Sequence, residues 1–352
     1  MLGNTFGRMF RVTTCGESYG KGLAAICDGV PPGMPLCDAD IQIELDKRRP
    51  GQSAIDSPRQ ETDQVTIFSG LRDNITTGAP VGMIIHNVDT MPQHVKEYEE
   101  VKDLIRPGHA EYTYRVKYDK YADWCGAGRA SGRETCMRVA AGAVAKKILA
   151  REDIHVVAYV KKLMHIEANV EGMSLQELDE NSLKNEIFCP DLETAEKMIE
   201  FTRQIKDEGD TVGGVVEIIA QGVPPGLGEP VFDKLSASLA HGLMSIPAVK
   251  GCEIGAGFGS AMMKGSECND IPYMKDGRVR FHTNNSGGID GGISNGEEIV
   301  VRIAVKPTST ISIAQPTVNM ATMQDAELAA ITRRDATICG RMCAVAAAMT
   351  RM

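Results

Sequence analysis

The sequence lacks the features that identify several large classes of protein. It contains no apolar run that approaches the roughly 20 residues needed to cross a membrane. Its net charge of −9 leaves no excess of basic side chains for neutralising a nucleic-acid backbone. We therefore expect a cytoplasmic protein that acts neither within a membrane nor on nucleic acid.

The cysteines lack the spacing of a structural framework. All ten are scattered, with no C-x-x-C pair, and the closest two, Cys339 and Cys343, lie one helical turn apart. This spacing matches neither a disulfide framework nor a zinc site, so we expect reduced thiols and no metal. The chain also lacks a linker or low-complexity stretch, and we expect residues 1–352 to form one domain.

What the chain does contain is a glycine-rich segment, Phe281 to Gly296, followed by a strand pattern and a polar loop. Apolar residues alternate from Ile299 to Val305, which is the period of a half-buried strand. Lys306-Pro-Thr-Ser-Thr310 then presents one cation and three hydroxyl groups. Glycines let backbone N–H groups approach a ligand closely. The pattern predicts either a unit that grips an anionic cofactor or a plain glycine-rich hairpin with a polar tip.

One sequence unit occurs twice. A strand pattern precedes Gly29-Val-Pro-Pro-Gly33, and a helix is predicted from about Asp38. A second strand pattern, Val215 to Ala220, precedes Gly222-Val-Pro-Pro-Gly226, and leucines at helical spacing predict a helix over Phe232 to Ser245. The repeat predicts a pseudo-symmetric fold built from two related halves.

A third helix is predicted to begin near Ser131 and to end near residue 150. Ser131-Gly-Arg-Glu134 matches a capping box, with serine at the N-cap and glutamate at N3. A helix N-terminus beside arginines is a common site for an anion. Because Glu134 would repel an anion, we expect the anion nearer Arg129 and Arg133.

Ordered motifs run along nearly the whole chain. They include Gly16-Glu-Ser18, Arg48-Arg-Pro-Gly51, Arg106-Pro-Gly-His-Ala-Glu-Tyr-Thr113, Arg133-Glu-Thr135, Gly226–Asp233 and Lys306-Pro-Thr-Ser309. In this order they resemble the chorismate synthase family. The resemblance implies an α+β fold, a β-α-β sandwich with long central helices between antiparallel sheets, assembled as a homotetramer. It also implies conversion of 5-enolpyruvylshikimate 3-phosphate to chorismate and phosphate, with reduced FMN (FMNH2) as cofactor.

The resemblance further implies roles for individual residues. The catalytic candidates are His109, Asp335, Tyr19 and Ser18. Among them His109 would protonate the departing phosphate, since an imidazole titrates near neutral pH, and Asp335 would assist proton removal. Guanidinium groups bind carboxylates and phosphates bidentately, and the substrate-binding candidates are Arg48, Arg49, Arg106 and Arg133. The FMN-binding candidates are Arg129, Ala130, Ser131, Pro247, Ala248, Gly291, Lys306, Pro307, Thr308, Ser309, Thr310 and Arg333.

The chain departs from the family pattern at several positions. The usual histidine after Gly16-Glu-Ser18 is Tyr19, an expected arginine is Ala54, an expected asparagine is Pro247, and an expected histidine is Arg334. The missing histidine after Ser18 is one of two general acids in the family, and losing such an acid costs about 10²- to 10⁴-fold in rate.

Two main alternatives follow from the missing histidine. The chain is a working chorismate synthase that protonates its flavin by another route, or it is a flavin-binding paralogue with lost or altered lyase activity. A non-catalytic glycine-rich scaffold, which would bind no flavin, is a third class. No G-x-G-x-x-G follows a strand and opens a helix, so the sequence leaves open whether the chain reduces flavin with NADP(H).

Overall fold

The computed structural model describes residues 3–51, 53, 55–56, 59, 61–329 and 334–352. Its strands are β1 (Thr5–Gly7), β2 (Arg11–Gly16), β3 (Gly22–Asp28), β4 (Val65–Ser69), β5 (Leu71–Arg72), β6 (Ile75–Thr76), β7 (Val81–His86), β8 (His155–Leu163), β9 (Ile166–Glu167), β10 (Gly214–Gln221), β11 (Val249–Ile254), β12 (Pro272–Lys275), β13 (Arg278–Phe281), β14 (Ile289–Asp290), β15 (Ile293–Ser294), β16 (Ile299–Val305), β17 (Gln315–Asn319) and β18 (Gln324–Leu328). Its α-helices are α1 (Asp38–Arg48), α2 (Pro92–Val101), α3 (Glu111–Tyr118), α4 (Thr135–Ala150), α5 (Leu175–Ser182), α6 (Leu192–Asp207), α7 (Leu235–Met244), α8 (Gly265–Cys268) and α9 (Cys339–Arg351).

Two sheets with the same internal order carry the fold. Their strand orders are β1-β2-β3-β7-β4 and β11-β16-β10-β8-β9, and all pairs are antiparallel. The first half runs β2, β3, α1, β4, β7 and α4, and the second runs β8, β10, α7, β11, β16 and α9. In each half the second strand pairs with the first and the last. The prediction of two related halves is confirmed.

The repeated Gly-Val-Pro-Pro-Gly turn begins in the same backbone conformation in both halves. Gly29 and Gly222 each have a φ of +82°. A Cβ atom at these positions would lie 1.8 Å from the carbonyl oxygen of Met9 and 2.2 Å from that of Asp153. Only glycine fits such a position. The motif therefore fixes the path of the chain from β3 towards α1 and from β10 towards α7.

The long helices α4 and α9 pack against each other in a layer between the sheets, with α1 and α7 beside them. Small residues allow this approach, because a Cβ atom on Gly142 of α4 would lie 2.3 Å from the Cβ of Ala348 in α9. Buried apolar side chains of both sheets join the helices in one continuous core. The predicted sandwich, with central helices between antiparallel sheets, is confirmed.

Two local predictions are wrong. The helix predicted from Phe232 begins at Leu235, because Asp233 first accepts a backbone hydrogen bond from Glu229 and pairs with Arg8. The capping box is the second error.

Ser131 does accept a hydrogen bond from the N–H group of Arg133, but this caps a short 3₁₀ turn, Gly132–Glu134, that precedes α4. The N–H group of Ser131 donates to Gly128, and the Glu134 carboxylate accepts from Thr14 and Arg138 instead. The glutamate therefore joins the helix to β2 rather than capping it.

All ten cysteines are free thiols. In the part of the chain that the structure describes, no helix combines the length and the apolar character needed to span a membrane.

Candidate active site

A cavity of about 560 Å³ is lined by loops from both halves of the molecule. This volume falls within the range of roughly 300–1,000 Å³ that is usual for small-molecule sites. The cavity brings together residues predicted from distant parts of the sequence, namely Tyr19, Arg48, His109, Ala130, Ser131, Arg133, Pro247, Ala248, Lys306, Thr308, Ser309, Thr310 and Asp335.

Other candidate residues lie behind the cavity wall. Ser18 is buried and accepts a hydrogen bond of 3.1 Å from Arg59, which itself lines the cavity. Arg106 donates to Glu111 and to Thr310. Arg129 donates to the carbonyl oxygens of Gly16 and Thr14. The contacts of Ser18 and Arg106 hold lining residues in place, whereas Arg129 is anchored to β2.

The remaining candidates are not part of the described cavity lining. Arg49 pairs with Asp46 at 3.2 Å on the surface of α1. Pro307 lies between two lining residues without lining the cavity itself. Gly291 is exposed in the turn between β14 and β15, and the structure describes no contact between it and the cavity. Arg333 lies outside the described residues.

The glycine-rich segment is packed against protein backbone. Gly287 and Gly288 have positive φ values, and a Cβ atom on Gly287 would lie 2.3 Å from the backbone nitrogen of Gly255. The segment therefore forms a tight structural turn within this chain. The polar loop after β16 is the part of this region that reaches the cavity.

Three guanidinium groups and two carboxylates form a buried cluster on one wall. Arg48 donates to Asp63 at 2.8 Å, and Arg133 also pairs with Asp63. Arg133 reaches Glu61 at 3.5 Å, and Arg59 donates to the same glutamate at 2.8 Å. The side chains of both acids are fully buried. Three cations sharing two anions leave a net positive charge on this wall, which favours an anionic ligand.

The polar loop after β16 supplies hydroxyl groups and a cation on another wall. Lys306 donates to Ser309 at 2.6 Å, and Ser309 donates to the carbonyl oxygen of Gly108 at 2.7 Å. Thr308 donates to the carbonyl oxygen of Asp335 at 3.1 Å. Burial lowers the pKa of Lys306, and the nearby charges of Lys250 and Arg106 lower it further. A bound anion would relieve that repulsion.

An apolar surface lies beside these polar groups. Met342 and Val345 line the cavity from α9, and Ile338 does so from the position just before this helix. Pro247 and Ala248 join them from the loop before β11. Ala248 has a φ of +70°, a strained conformation for a residue with a Cβ atom. Its carbonyl oxygen accepts a 2.9 Å hydrogen bond from the N–H group of Lys306, which holds the two loops together. Such strain is often found at functional sites.

Tyr19 contributes an aromatic ring where the family motif has a histidine. A Cβ atom on Gly126 would lie 2.5 Å from this ring, so only glycine leaves room for it. The guanidinium carbon of Arg59 lies 5.5 Å from the ring centre, and the ring of Tyr98 meets it edge-on at 5.2 Å. The phenol is therefore packed into the wall next to a cation.

Sequence reasoning missed several lining residues. Lys250 lies in the motif Ala248-Val-Lys-Gly251, but its charge was not singled out. Arg59 lies in a stretch without periodicity, and Arg341 lies among the apolar residues of α9, so neither gave a local signal. Arg341 pairs with Asp335 at 2.5 Å and lies 3.7 Å from Asp56.

Comparison with known proteins identifies the family of the chain that forms this cavity. The family model described as chorismate synthase matches residues 10–352. The chain is 57% identical to the chorismate synthase of Acetivibrio thermocellus, over 100% of this chain and 93% of that protein. It is 50% identical to the chorismate synthase of Methanosarcina barkeri, over 100% of this chain and 95% of that protein.

This chain belongs to the chorismate synthase family. A crystal structure of chorismate synthase has the same fold, with a TM-score of 0.78, 31% identity, and coverage of 98% of this chain and 90% of that one. As a member of the chorismate synthase family the chain is an enzyme, a carbon–oxygen lyase that acts on a small molecule and takes part in the shikimate pathway. Family membership also implies a flavin cofactor.

The lining residues fit a flavin. The apolar surface of Ile338, Met342 and Val345 suits a flat ring system, and Lys306 with the adjacent hydroxyl groups suits a phosphate. The depressed pKa of Lys306 is consistent with a site made for an anion.

Proposed function

We propose that this chain converts 5-enolpyruvylshikimate 3-phosphate to chorismate and inorganic phosphate with reduced FMN bound. The observation that carries the proposal is the shared cavity, where guanidinium groups, a histidine, hydroxyl groups and an apolar face meet. We further propose that the chain forms one domain, assembles as a homotetramer and acts in the cytoplasm, as the family resemblance implies.

In this proposal reduced FMN is held by the polar loop after β16 and by the loop before β11. Lys306, Thr308, Ser309 and Thr310 offer charge and hydroxyl donors to its phosphate and polar edge. Ala130 and Ser131 approach from the segment just before the 3₁₀ turn that precedes α4. When bound, the flavin would contribute transient one-electron chemistry to a reaction that is redox-neutral overall.

Arg48 and Arg133 bind the carboxylates and phosphate of the substrate. Their common partner Asp63 fixes both side chains before the substrate arrives. Planar guanidinium groups match carboxylate and phosphate geometry better than an ammonium does. The substrate supplies the negative charge that the cluster of Arg48, Arg59 and Arg133 lacks.

His109 donates a proton to the departing phosphate. As the carbon–oxygen bond breaks, both bonding electrons leave with the phosphate, and the proton from His109 neutralises part of the charge that develops. Asp335 lines the same cavity and assists removal of the proton that the ring loses. Arg341 holds the Asp335 carboxylate in place.

An anaerobic assay of the purified protein tests the proposal. We expect phosphate release from 5-enolpyruvylshikimate 3-phosphate when reduced FMN is present, and none when flavin is omitted. Substitution of His109 by Gln should lower the rate by about 10²- to 10⁴-fold, since that is the usual contribution of a general acid. Normal flavin binding without any phosphate release would instead support a flavin-binding paralogue and would refute the proposal.

A further inference from the structure

The side chain of Glu111 lies two residues beyond His109 and contacts its ring from behind the cavity wall. A Glu111 carboxylate oxygen lies 3.0 Å from Nδ1 of His109. His109 lines the cavity. Glu111 is not one of the described residues that line it. Because Nδ1 faces the carboxylate, Nε2 is the ring nitrogen left to meet a ligand.

Glu111 is itself firmly held. Arg106 donates to one oxygen of Glu111 from Nε at 3.1 Å and from Nη2 at 2.5 Å. The remaining Arg106 nitrogen, Nη1, donates to Thr310 at 2.9 Å, so the polar loop after β16 fixes the arginine. Glu111 is also the first residue of α3, where the helix dipole favours a carboxylate.

Glu111 remains an anion at every pH at which the enzyme is expected to work. Burial alone would raise the pKa of Glu111. The hydrogen bond from His109 and the charge of Arg106 outweigh burial and lower that pKa to about 2.

The rest of the cavity opposes a charged imidazole. Among the described residues, the other ionisable groups that line it with His109 are Arg48, Arg59, Arg133, Lys250, Lys306, Arg341, Asp335, Tyr19 and Tyr98. All but Asp335 and the two tyrosines are cations, and nearby cations disfavour a protonated ring. Glu111 is the carboxylate placed within hydrogen-bonding distance of the ring to offset them.

We propose that Glu111 is a positioning residue that favours the charged form of the His109 ring and directs its Nε2 into the cavity, while Arg106 keeps Glu111 in place. This rests on the proposed function, in which His109 is the acid that protonates the departing phosphate. Glu111 lies outside the described cavity lining and acts through His109.

Three variants separate this role from simple structural support. Glu111→Gln removes the charge and keeps the shape, Glu111→Asp keeps the charge, and Asp103→Asn is a matched control. Asp103 pairs at 3.1 Å with Arg115 of the same helix α3, and it lies outside the cavity lining.

We expect the alkaline fall of kcat to move about one unit to lower pH in Glu111→Gln, because an adjacent opposite charge shifts titration by about 1–3 units. Well above the alkaline fall kcat should be about tenfold lower than in the wild type, on the acid side the two kcat values should agree, and KM and flavin affinity should change less than about twofold. Glu111→Asp should restore the position of the alkaline fall, and Asp103→Asn should match the wild type throughout.

A second measurement needs neither flavin nor turnover. Diethylpyrocarbonate modifies neutral imidazole, and peptide mass spectrometry follows the modification of His109 in the free protein as a function of pH. The pH at which the rate reaches half its maximum should be about one unit lower in Glu111→Gln than in the wild type. An unchanged modification profile, or a kcat loss that is equal at every pH, would overturn the proposed role of Glu111.

The two proposals fail in different ways. If His109→Gln releases phosphate at the wild-type rate, His109 is not the acid and the proposed mechanism is wrong, whatever Glu111 does. If His109→Gln is inactive but Glu111→Gln leaves the modification profile unchanged, the proposed mechanism stands and the role of Glu111 is refuted.

Discussion

Substitution of Asp63 by Asn tests the claim that the arginine wall is built for an anion. The Asp63 carboxylate is buried and pairs with both Arg48 and Arg133. Asparagine keeps its size and tolerates the positive φ of 48° at this position. Breaking a buried ion pair costs about 3–5 kcal/mol. Because Arg133 keeps its contact with Glu61, we expect a loss near the lower end, about 3 kcal/mol of unfolding free energy.

The same change should make inorganic phosphate bind more tightly, since an added anion replaces the missing carboxylate. A tenfold lower dissociation constant corresponds to about 1.4 kcal/mol of extra stabilisation by saturating phosphate. Urea unfolding of the flavin-free protein with and without phosphate, at a fixed protein concentration, measures both effects.

Glu217→Gln is the control for this experiment. Glu217 is also buried and pairs with Arg302 at 2.9 Å, and neither residue is part of the described cavity lining. It should lose stability without gaining any additional response to phosphate. Equal stability of Asp63→Asn and the wild type, or equal phosphate responses in both variants, would refute the reasoning.

Three further predictions concern the cavity and the central helices. Tyr19→His should raise kcat in the anaerobic assay, because an imidazole donates protons at neutral pH far more readily than a phenol; an unchanged or lower kcat would mean that protons reach the flavin elsewhere. Glu44→Gln should cost about 3 kcal/mol of unfolding free energy at pH 7, because Glu44 is buried against Arg351. Burial raises the pKa of Glu44, but its cationic neighbours lower this pKa well below the usual range. The stability that the Glu44 carboxylate contributes is therefore present above about pH 4.3 and is lost as the pH falls. Urea titrations should show the unfolding free energies of Glu44→Gln and the wild type converging at acid pH. Gly142→Ala should lower the free energy of unfolding, measured with urea, by about 1–3 kcal/mol despite a better helix propensity, because the new methyl group meets Ala348 at 2.3 Å; a stabilised variant would show that α4 and α9 can separate without cost.

The fold was predictable where local sequence alone dictates geometry. The strand before Gly29 and the strand before Gly222 follow from short apolar runs, and the turns follow from glycines that no other residue can replace. Helix α9 follows from its small apolar residues. The start of α7 was not predictable, because the contact between Arg8 and Asp233 joins residues far apart in sequence.

The candidate site was predictable only where a motif carries the side chain. His109, Arg133 and Lys306 lie in such motifs, and the cavity brings them together. Arg59 and Arg341 reach the same cavity because of how a loop folds and how a helix is rotated. Sequence periodicity does not predict either arrangement. The partners of each arginine, such as Asp63 and Glu61, depend on tertiary packing in the same way.

Whether one cavity holds flavin and substrate side by side is tested most directly by the absorption spectrum of protein-bound FMN during titration with 5-enolpyruvylshikimate 3-phosphate. We expect the flavin spectrum to change until the substrate site is saturated. We expect Arg48→Met to weaken this spectral response while leaving flavin affinity unchanged. Substrate binding that leaves the flavin spectrum unaltered, or an Arg48→Met variant that responds like the wild type, would contradict the account.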